Sequence, residues 1–304
     1  MQDGADSALA AFERERPRLL RLAHRMLGSV SDAEDVLQTA WLRWSGADRS
    51  EVRAPAAWLT RTVSRLALDA LGSAHARRTT YVGPWLPEPV VADDDSAIED
   101  SLTTALMLVL ERLSPLERAA FLLHDVFGTG FGEVARILER DEAACRQLAA
   151  RARQHVRAAR PRFTVPREQG DALAEAFFAA SRSGDVAALQ RMLAAEVTAY
   201  TDGGGVRSSA RRPIIGRDRV IRFFAGLARK PRGGGASLLR CGRIDGLPGF
   251  VTREADGLLQ TTALECGPDG IIAVYIVRNP EKLRHLAAAD WAAARPAEAT
   301  RHPS

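Results

Sequence analysis

Residues 130–162 read GFGEVARILERDEAACRQLAARARQHVRAARPR, and this stretch decides how the middle of the chain should fold. Its apolar spacing predicts a helix over Phe131–Leu138, a tight turn over residues 139–141, and a second helix from Glu142 to about Arg157. Asp141 is a suitable N-cap, because its side chain can accept a hydrogen bond from a free N–H of the first turn. The pattern is that of a helix-turn-helix.

The second helix of this pair is strongly basic and carries a single acid, Glu142. Arginine can bridge guanine or hold phosphate and glutamine can pair with adenine, so such a helix suits the major groove of DNA. Its first polar residues should face bases and the later arginines should hold phosphates. The predicted DNA contacts here are Arg146, Gln147, Arg151, Arg153 and Arg157. The alternative is a solvated arginine-rich face on a structural helix, because helix-turn-helix patterns are short and degenerate.

Composition indicates a globular protein of several folding units. The chain has 304 residues, of which 46% are hydrophobic and 26% charged, a length that favours two or three domains. A net charge of +4 permits nucleic acid as a partner without requiring it. Cys145, Cys241 and Cys266 form no CxxC or Cys/His cluster, which argues against a zinc site and a disulfide framework. We therefore predict no metal and no cofactor.

The N-terminus mixes acids and bases with its apolar residues, so it does not resemble a signal peptide. The longest apolar stretches, residues 105–110 and 271–277, are far shorter than the roughly 18 residues that span a bilayer. We expect a cytoplasmic protein with no membrane partner.

The N-terminal part, from Ala8 to about Leu71, has helical apolar spacing throughout and predicts a helical bundle. Ser31 and Glu34 have the spacing of a capping box at the start of its second helix. The third helix should begin at Pro55, whose missing N–H costs nothing in a first turn.

Helical units and a linker divide the rest of the chain. Prolines and an acidic triplet predict a linker after the bundle, and a second capping box at Ser114 and Glu117 marks a second helical unit. Beyond Pro166, two short helices precede β-rich segments separated by glycine turns, which predicts an α+β domain. The expected divisions are residues 1–72, a linker over 73–96, residues 97–162, residues 167–290, and a disordered tail over 291–304.

Three blocks in this order resemble the extracytoplasmic function sigma factors of bacterial RNA polymerase. RLAHRMLGSVSDAEDVLQTAWLRW, residues 21–44, resembles regions 2.1 to 2.2; AAWLTRTVSRLALDAL, residues 56–71, resembles regions 2.3 and 2.4; and LSPLERAAFLLHDVFG through RQLAARARQHVR, residues 113–157, resembles region 4. The resemblance implies two all-α sigma domains, one a region 2 bundle and one a region 4 helix-turn-helix. Its implied partners are core RNA polymerase, through the largest-subunit clamp coiled coil and the flap, and promoter DNA.

Carried over by position, the polymerase-binding residues would be Asp32, Asp35, Gln38 and Trp41. Asp32 is also favoured in any first helical turn, and Trp41 could equally belong to the core. Arg61 and Arg65 would contact the minus-10 element, although Arg65 could instead pair with Asp69 within the helix. The family captures a flipped base in this region, and the side chain that does so here is left open.

A narrower resemblance involves the SigJ-type subgroup, whose members carry a SnoaL-like C-terminal extension. It rests on YVGPWLPEP at residues 81–89, TDGGG at residues 201–205 and RNPEKL at residues 278–283. The subgroup usually has lysine after the glycines, where this chain has Val206 and Arg207. The implied α+β extension is a cone-shaped barrel with a pocket. The residues expected to make regulatory contacts between domains are Asp202, Gly203, Gly204, Gly205, Asn279, Pro280, Glu281, Lys282 and Leu283.

The sequence thus predicts a sigma factor that recognises minus-35 and minus-10 elements and is regulated in cis by its extension, with a small ligand as a candidate occupant of the pocket. The acidic stretch Asp93 to Asp95 could mimic a nucleic-acid backbone in the polymerase or form a solvated hinge. One alternative is an enzyme or ligand sensor with Asp202 as acid–base group, although Asp-Gly-Gly-Gly is also ordinary turn chemistry. Another is a stand-alone DNA-binding regulator. We predict no catalytic residue.

Overall fold

The chain divides into two units: Met1–Tyr81 with Leu102–Pro161, and Val82–Ser101 with Arg162–Ser304. Residues 82–101 therefore group with the C-terminal part and not with the helices that flank them in sequence. The structure is a computed structural model that describes residues 2–48, 52–79, 81–92, 103–158, 163, 165–230 and 235–287.

Three long helices form the first part of unit 1. Apolar side chains at helical spacing, such as Leu19, Leu22 and Met26, are fully buried between them. The indole Nε1 of Trp44 donates a hydrogen bond of 2.9 Å to the carbonyl oxygen of Ala8, which satisfies this buried polar group. The helices are α1 Gln2–Leu27, α2 Val30–Ser45 and α3 Pro55–Thr79. The predicted start at Pro55 is confirmed.

The predicted capping box at Ser31 and Glu34 is wrong, because α2 begins earlier. Gly28 has a φ of 69° and ends α1. Ser29 is extended and its hydroxyl accepts a hydrogen bond from the Asp32 N–H, so Ser29 is the N-cap. Ser31 lies inside the first turn, where it cannot cap it.

The end of α3 also differs from the prediction. The linker was expected from residue 73, but the helix continues to Thr79. Residues 73–79 read SAHARRT, which contains neither glycine nor proline and offers alanine and arginine, both good helix formers. The chain becomes irregular only near Gly83, which has a φ of 90°.

The second part of unit 1 contains the predicted helix-turn-helix. The capping box of Ser114 and Glu117 is present. Glu139 adopts a left-handed conformation with a φ of 53°, which turns the chain. Asp141 accepts a 2.7 Å hydrogen bond from the Ala144 N–H, as predicted for an N-cap. The helices are α4 Thr104–Leu110, α5 Pro115–Phe121 with a π turn over Leu122–Val126, α6 Phe131–Leu138 and α7 Glu142–Ala158.

A buried arginine connects the two parts of unit 1. Arg118 is 1% exposed, and its guanidinium donates two hydrogen bonds, of 3.1 and 2.8 Å, to the carbonyl oxygen of Arg25 on α1. The same group forms an ion pair with Glu111. Burial lowers the pKa of Arg118, and the Glu111 carboxylate opposes that shift.

Unit 2 is the α+β fold that the sequence predicts. Two strands of two residues each, Val91–Ala92 and Ile214–Ile215, were not anticipated, because they are too short to produce an alternating pattern. The elements are β1 Val91–Ala92, α8 Arg167–Ser183, α9 Val186–Met192, β2 Leu193–Asp202, β3 Ile214–Ile215, α10 Arg217–Ala228, β4 Ser237–Ile244, β5 Leu247–Arg253, β6 Leu259–Gly267, β7 Gly270–Val277 and α11 Arg284–Ala287, with a 3-10 turn over Glu281–Leu283.

One mixed sheet of seven strands, in the order β1-β4-β5-β6-β7-β2-β3, organises unit 2. All neighbouring strands are antiparallel except β2 and β7, which are parallel. A core that includes Phe177 of α8, Phe224 of α10 and Phe250 of β5 lies between the helices and the sheet.

The acidic stretch Asp93 to Asp95 and the predicted tail over 291–304 lie outside the described residues. Within the described ranges, the structure contains no helix that is both long and apolar enough to cross a bilayer.

We expect Arg118→Met to destabilise unit 1 by about 3 kcal/mol, because it leaves Glu111 and the Arg25 carbonyl without their buried donor. Urea denaturation followed by tryptophan fluorescence measures this change. Arg112→Met removes the same charge from an exposed position six residues earlier and should change the free energy of unfolding by less than about 0.5 kcal/mol. Equal losses in the two variants would contradict the assigned role of Arg118.

Candidate functional site

The outer face of α7 carries polar side chains suited to DNA. Among the predicted contacts, Arg146, Gln147, Arg151 and Arg157 are exposed. Gln154, which the sequence interpretation missed, is exposed on the same face because it follows Gln147 at a spacing of two helical turns. The face therefore continues along most of the helix.

Three of the α7 arginines have acidic neighbours, and the longest of these ion pairs joins Arg151 to Glu117 at 3.9 Å. Arg146 forms a 2.6 Å ion pair with Glu142 and lies 5.4 Å from the ring centre of Phe131. Arg153 is half-buried and forms a 2.6 Å ion pair with Asp125 of the π turn. Arg153 is therefore less available to DNA than the other predicted contacts.

The predicted polymerase contacts on α2 divide into two groups. Asp35 and Gln38 are exposed, whereas Asp32 is half-buried near the Ser29 cap. Trp41 is half-buried, with its ring 5.2 Å from that of Phe12.

Leu42 continues the exposed stripe of Asp35 and Gln38 and is 63% exposed. The sequence interpretation missed it because a leucine in an amphipathic helix is ordinarily assigned to the core. This apolar side chain extends the candidate polymerase face of α2.

Arg61 and Arg65 of α3, which were predicted to contact the minus-10 element, form hydrogen bonds and ion pairs with residues of the helix-turn-helix. Arg61 donates hydrogen bonds of 3.2 and 3.0 Å to one carboxylate oxygen of Glu133. Arg65 pairs with Glu139 at 2.8 Å and donates to the Arg136 carbonyl oxygen at 3.0 Å. The partners of Arg65 thus lie on and after α6, rather than one turn along its own helix.

In unit 2, the parallel pairing of β2 with β7 brings two predicted motifs together. Asp202 at the end of β2 is in register with Val277 at the end of β7. TDGGG begins with the last two residues of β2, and RNPEKL begins directly after β7. The two motifs therefore lie at the same end of the sheet. The Asp202 carbonyl oxygen accepts hydrogen bonds from the N–H groups of Arg278 and Asn279, at 2.7 and 3.0 Å.

Two glycines of TDGGG, Gly203 and Gly204, are required by close approaches of neighbouring atoms. Gly204 has a φ of 65°, and a Cβ there would overlap the Asn279 side chain. A Cβ at Gly203 would likewise overlap the Arg207 carbonyl oxygen. Only glycine fits such positions without displacing backbone or a buried side chain.

The Asp202 side chain is completely buried and binds the part of unit 2 that lies between α3 and α4 in sequence. Its Oδ2 accepts hydrogen bonds from the Leu86 N–H at 2.9 Å and from Lys282 Nζ at 2.7 Å, while Oδ1 accepts one from the Gly204 N–H at 3.0 Å. Lys282 Nζ also donates to the Leu86 carbonyl oxygen and lies 4.2 Å from the Trp85 ring centre. We call Trp85, Leu86, Asp202 and Lys282 the linker clasp.

A second anchor holds the end of this segment. The Val90 N–H donates to Asp245 Oδ1 at 2.9 Å, and the Asp245 N–H donates to the Val90 carbonyl oxygen at 2.8 Å. His285 Nε2 donates to the Pro89 carbonyl oxygen at 2.8 Å, which fixes the proton on that ring nitrogen. Strand β1 then pairs with β4.

Sequence interpretation identified the clasp motifs but missed Asp245 and His285. Asp245 precedes Gly246 in the turn between β4 and β5, where Asp-Gly is common turn chemistry and gives no sign of a binding role. Among the other predicted residues, Asn279 Oδ1 accepts from the Glu281 N–H, Leu283 is buried, and Pro280 is half-buried.

Unit 2 also contains a cavity of about 750 Å³, enclosed by α8, α10 and the sheet. Thr201 lines it, but Asp202, the candidate acid–base residue, does not. The Asp202 carboxylate is occupied by the clasp, so its geometry does not fit proton transfer to a molecule in the cavity. Arg207, which stands near the position where the subgroup has lysine, lines the cavity and forms an ion pair with Asp256.

The helical part of the chain matches two family models. Residues 11–77 match Sigma-70 region 2, and residues 103–156 match Sigma-70, region 4. The first range includes α2 and all but the last two residues of α3, and the second includes α6 and all but the last two residues of α7.

Relatives are similar over nearly the whole chain. The ECF RNA polymerase sigma factor SigJ of Mycobacterium tuberculosis strain H37Rv is 38% identical over 291 residues, or 90% of this chain and 92% of the relative. The probable ECF RNA polymerase sigma factor SigI of the same strain is 31% identical over 93% of this chain and 97% of its own length.

A solved structure agrees with the fold. The crystal structure of Mycobacterium tuberculosis SigJ has a TM-score of 0.73 and 36% sequence identity, and the match covers 91% of this chain and 98% of that chain. The family predicted from the ordered sequence blocks is confirmed. The chain belongs to the extracytoplasmic function family of RNA polymerase sigma factors and acts with the polymerase in transcription initiation.

Proposed function

We propose that this sigma factor uses three separate faces for polymerase and promoter, and that its C-terminal domain regulates it in cis by holding the linker segment, residues 82–92. The observation that carries the regulatory part is the linker clasp, in which both backbone polar groups of Leu86 bind buried charged side chains of the C-terminal domain.

The three faces lie on different helices. The exposed stripe of α2 that includes Asp35, Gln38 and Leu42 would bind the clamp coiled coil of the largest subunit, with Asp32 and Trp41 beside it. Helix α3 would read the minus-10 element through Arg61 and Arg65. The outer face of α7 would read the minus-35 element in the major groove, where glutamine and arginine distinguish base pairs, while the flap binds the region 4 domain.

The linker connects the domain that binds the minus-10 element to the domain that binds the minus-35 element, so its path limits the distance between these domains. A segment whose backbone is bound by the C-terminal domain cannot at the same time take an extended path through the polymerase. The clasp therefore favours the inactive state, and release of the segment permits promoter binding. This release requires Asp202 and Lys282 to exchange their buried partners for water or for other groups.

The proposal assigns no catalytic reaction to the C-terminal domain, because Asp202 serves the clasp. It places the protein in the cytoplasm, where polymerase and promoter DNA are found.

We expect Lys282→Met to free the linker, because it leaves the buried Asp202 carboxylate without its cation. Hydrogen exchange at the Leu86 and Val90 amides should accelerate by at least about tenfold, equivalent to about 1.4 kcal/mol. Run-off transcription with purified core polymerase should rise several-fold.

Arg284→Met is the control for this experiment, because Arg284 has the same charge, lies two residues away and is 79% exposed in its side chain. It should leave both measurements unchanged. Faster exchange without a change in transcription would show that the clasp is structural only.

We expect Gln147→Ala and Arg157→Ala to weaken minus-35 binding in different ways. Loss of Gln147 should cost about 1–3 kcal/mol and relax specificity at one base pair, whereas loss of Arg157 should weaken all sequences alike and reduce the salt slope by about one. Holoenzyme binding to promoter duplexes selected from a random pool measures both effects. Identical effects of the two substitutions on specificity would contradict the assignment.

We expect Glu133→Gln to strengthen binding of single-stranded DNA to α3, because it releases Arg61. The ion pair is partly exposed, so the gain should be about two- to fivefold. Fluorescence anisotropy of a labelled oligonucleotide with the full chain measures it. Asp69→Asn removes a charge from an exposed position on α3 and is the control for general charge effects. The same gain in both variants would count against a specific role of Glu133.

A further inference from the structure

The cavity of unit 2 has an apolar wall that the linker clasp does not use. Its volume of about 750 Å³ is within the range of small-molecule sites. Phe177, Phe223, Phe224 and Phe250 line it, and the rings of Phe177 and Phe224 meet edge to face at 5.3 Å. Such a wall suits a flat apolar body.

The polar end of the cavity contains two arginine–carboxylate pairs. Arg182 donates two hydrogen bonds to Glu254, which also accepts one from the Thr252 hydroxyl at 2.7 Å. Burial raises the pKa of Glu254, but the hydrogen bonds and charge of Arg182 outweigh it and hold this pKa below its ordinary value. Arg207 pairs with Asp256 at 2.6 Å. These four charges compensate one another.

A third guanidinium at the same end, that of Arg278, adds a positive charge. Its Nη1 donates to the Ser208 carbonyl oxygen at 2.8 Å, whereas its buried Nε has no hydrogen-bond partner among the described residues. Burial lowers the pKa of Arg278, and the neighbouring charge of Arg207 lowers it further. A half-buried guanidinium in the wall of this cavity favours an anion beside it.

We propose that this cavity binds a small molecule in which one carboxylate is joined to a flat apolar body, with the carboxylate on Arg278 and the body against the phenylalanine wall. Arg278 and Lys230 line the cavity outside the two ion pairs and favour a negative charge there, and the four rings favour the apolar part. This site goes beyond the proposed function, and binding at it does not depend on how the linker regulates transcription.

Naphthalene-2-carboxylate and naphthalene-2-carboxamide test the proposal, because they share their shape and differ in charge. Isothermal titration calorimetry with the full chain should show at least about tenfold tighter binding of the carboxylate. Arg278→Met should remove this preference and leave binding of the amide unchanged. Arg278→Lys should restore part of it.

Two further variants distinguish the polar end from the wall. Arg253→Met removes an exposed arginine at the end of β5, and it should retain the tenfold preference. Phe223→Ala should weaken the carboxylate and the amide alike. The proposal is overturned if neither compound binds, if both bind equally to the unmodified chain, or if Arg253→Met loses the preference as Arg278→Met does.

Discussion

The C-terminal half of this sigma factor depends on one buried carboxylate. Asp202 has no exposed side-chain surface, and a buried charge of this kind is tolerated only when a counter-charge and hydrogen bonds replace the water it has lost. Its hydrogen-bond donors include the Leu86 N–H, the Gly204 N–H and the Lys282 ammonium, which belong to three separate stretches of the chain. Satisfying one group therefore fixes the relative positions of the linker, the glycine turn and the turn after β7.

The sheet makes this arrangement available before any of these side chains interact. Because β2 and β7 are parallel neighbours, both strands end at the same edge, and their following loops leave side by side. An antiparallel pair would send the two loops to opposite edges of the sheet. Thr201 and Arg278, which lie at the same two strand ends, line the cavity. The clasp and the cavity therefore share the end of β2 and the turn after β7.

Local chemistry made much of the helical architecture predictable. The helix-turn-helix, the Ser114 cap and the start at Pro55 all follow from residues a few positions apart. Two other features were not predicted: the cap at Ser29 depends on where Gly28 ends α1, and β1 forms only because it pairs with the edge strand β4. In the site, motif resemblance identified Asp202 and Lys282. No local pattern linked them to Leu86, which is 116 residues from Asp202 in sequence, and none indicated the partners of Arg61 and Arg65.

The shared carboxylate also restricts how this protein can change over evolutionary time. Replacing Asp202 alone would leave the Lys282 ammonium buried without its anion, and replacing Lys282 alone would do the reverse, so each single replacement should destabilise the fold. Homologous proteins that lack the charged pair should therefore differ at both positions. Position 204 should remain glycine wherever Asn279 is retained. The linker, the glycine turn and the turn after β7 are distant along the sequence, but the shared carboxylate constrains them together.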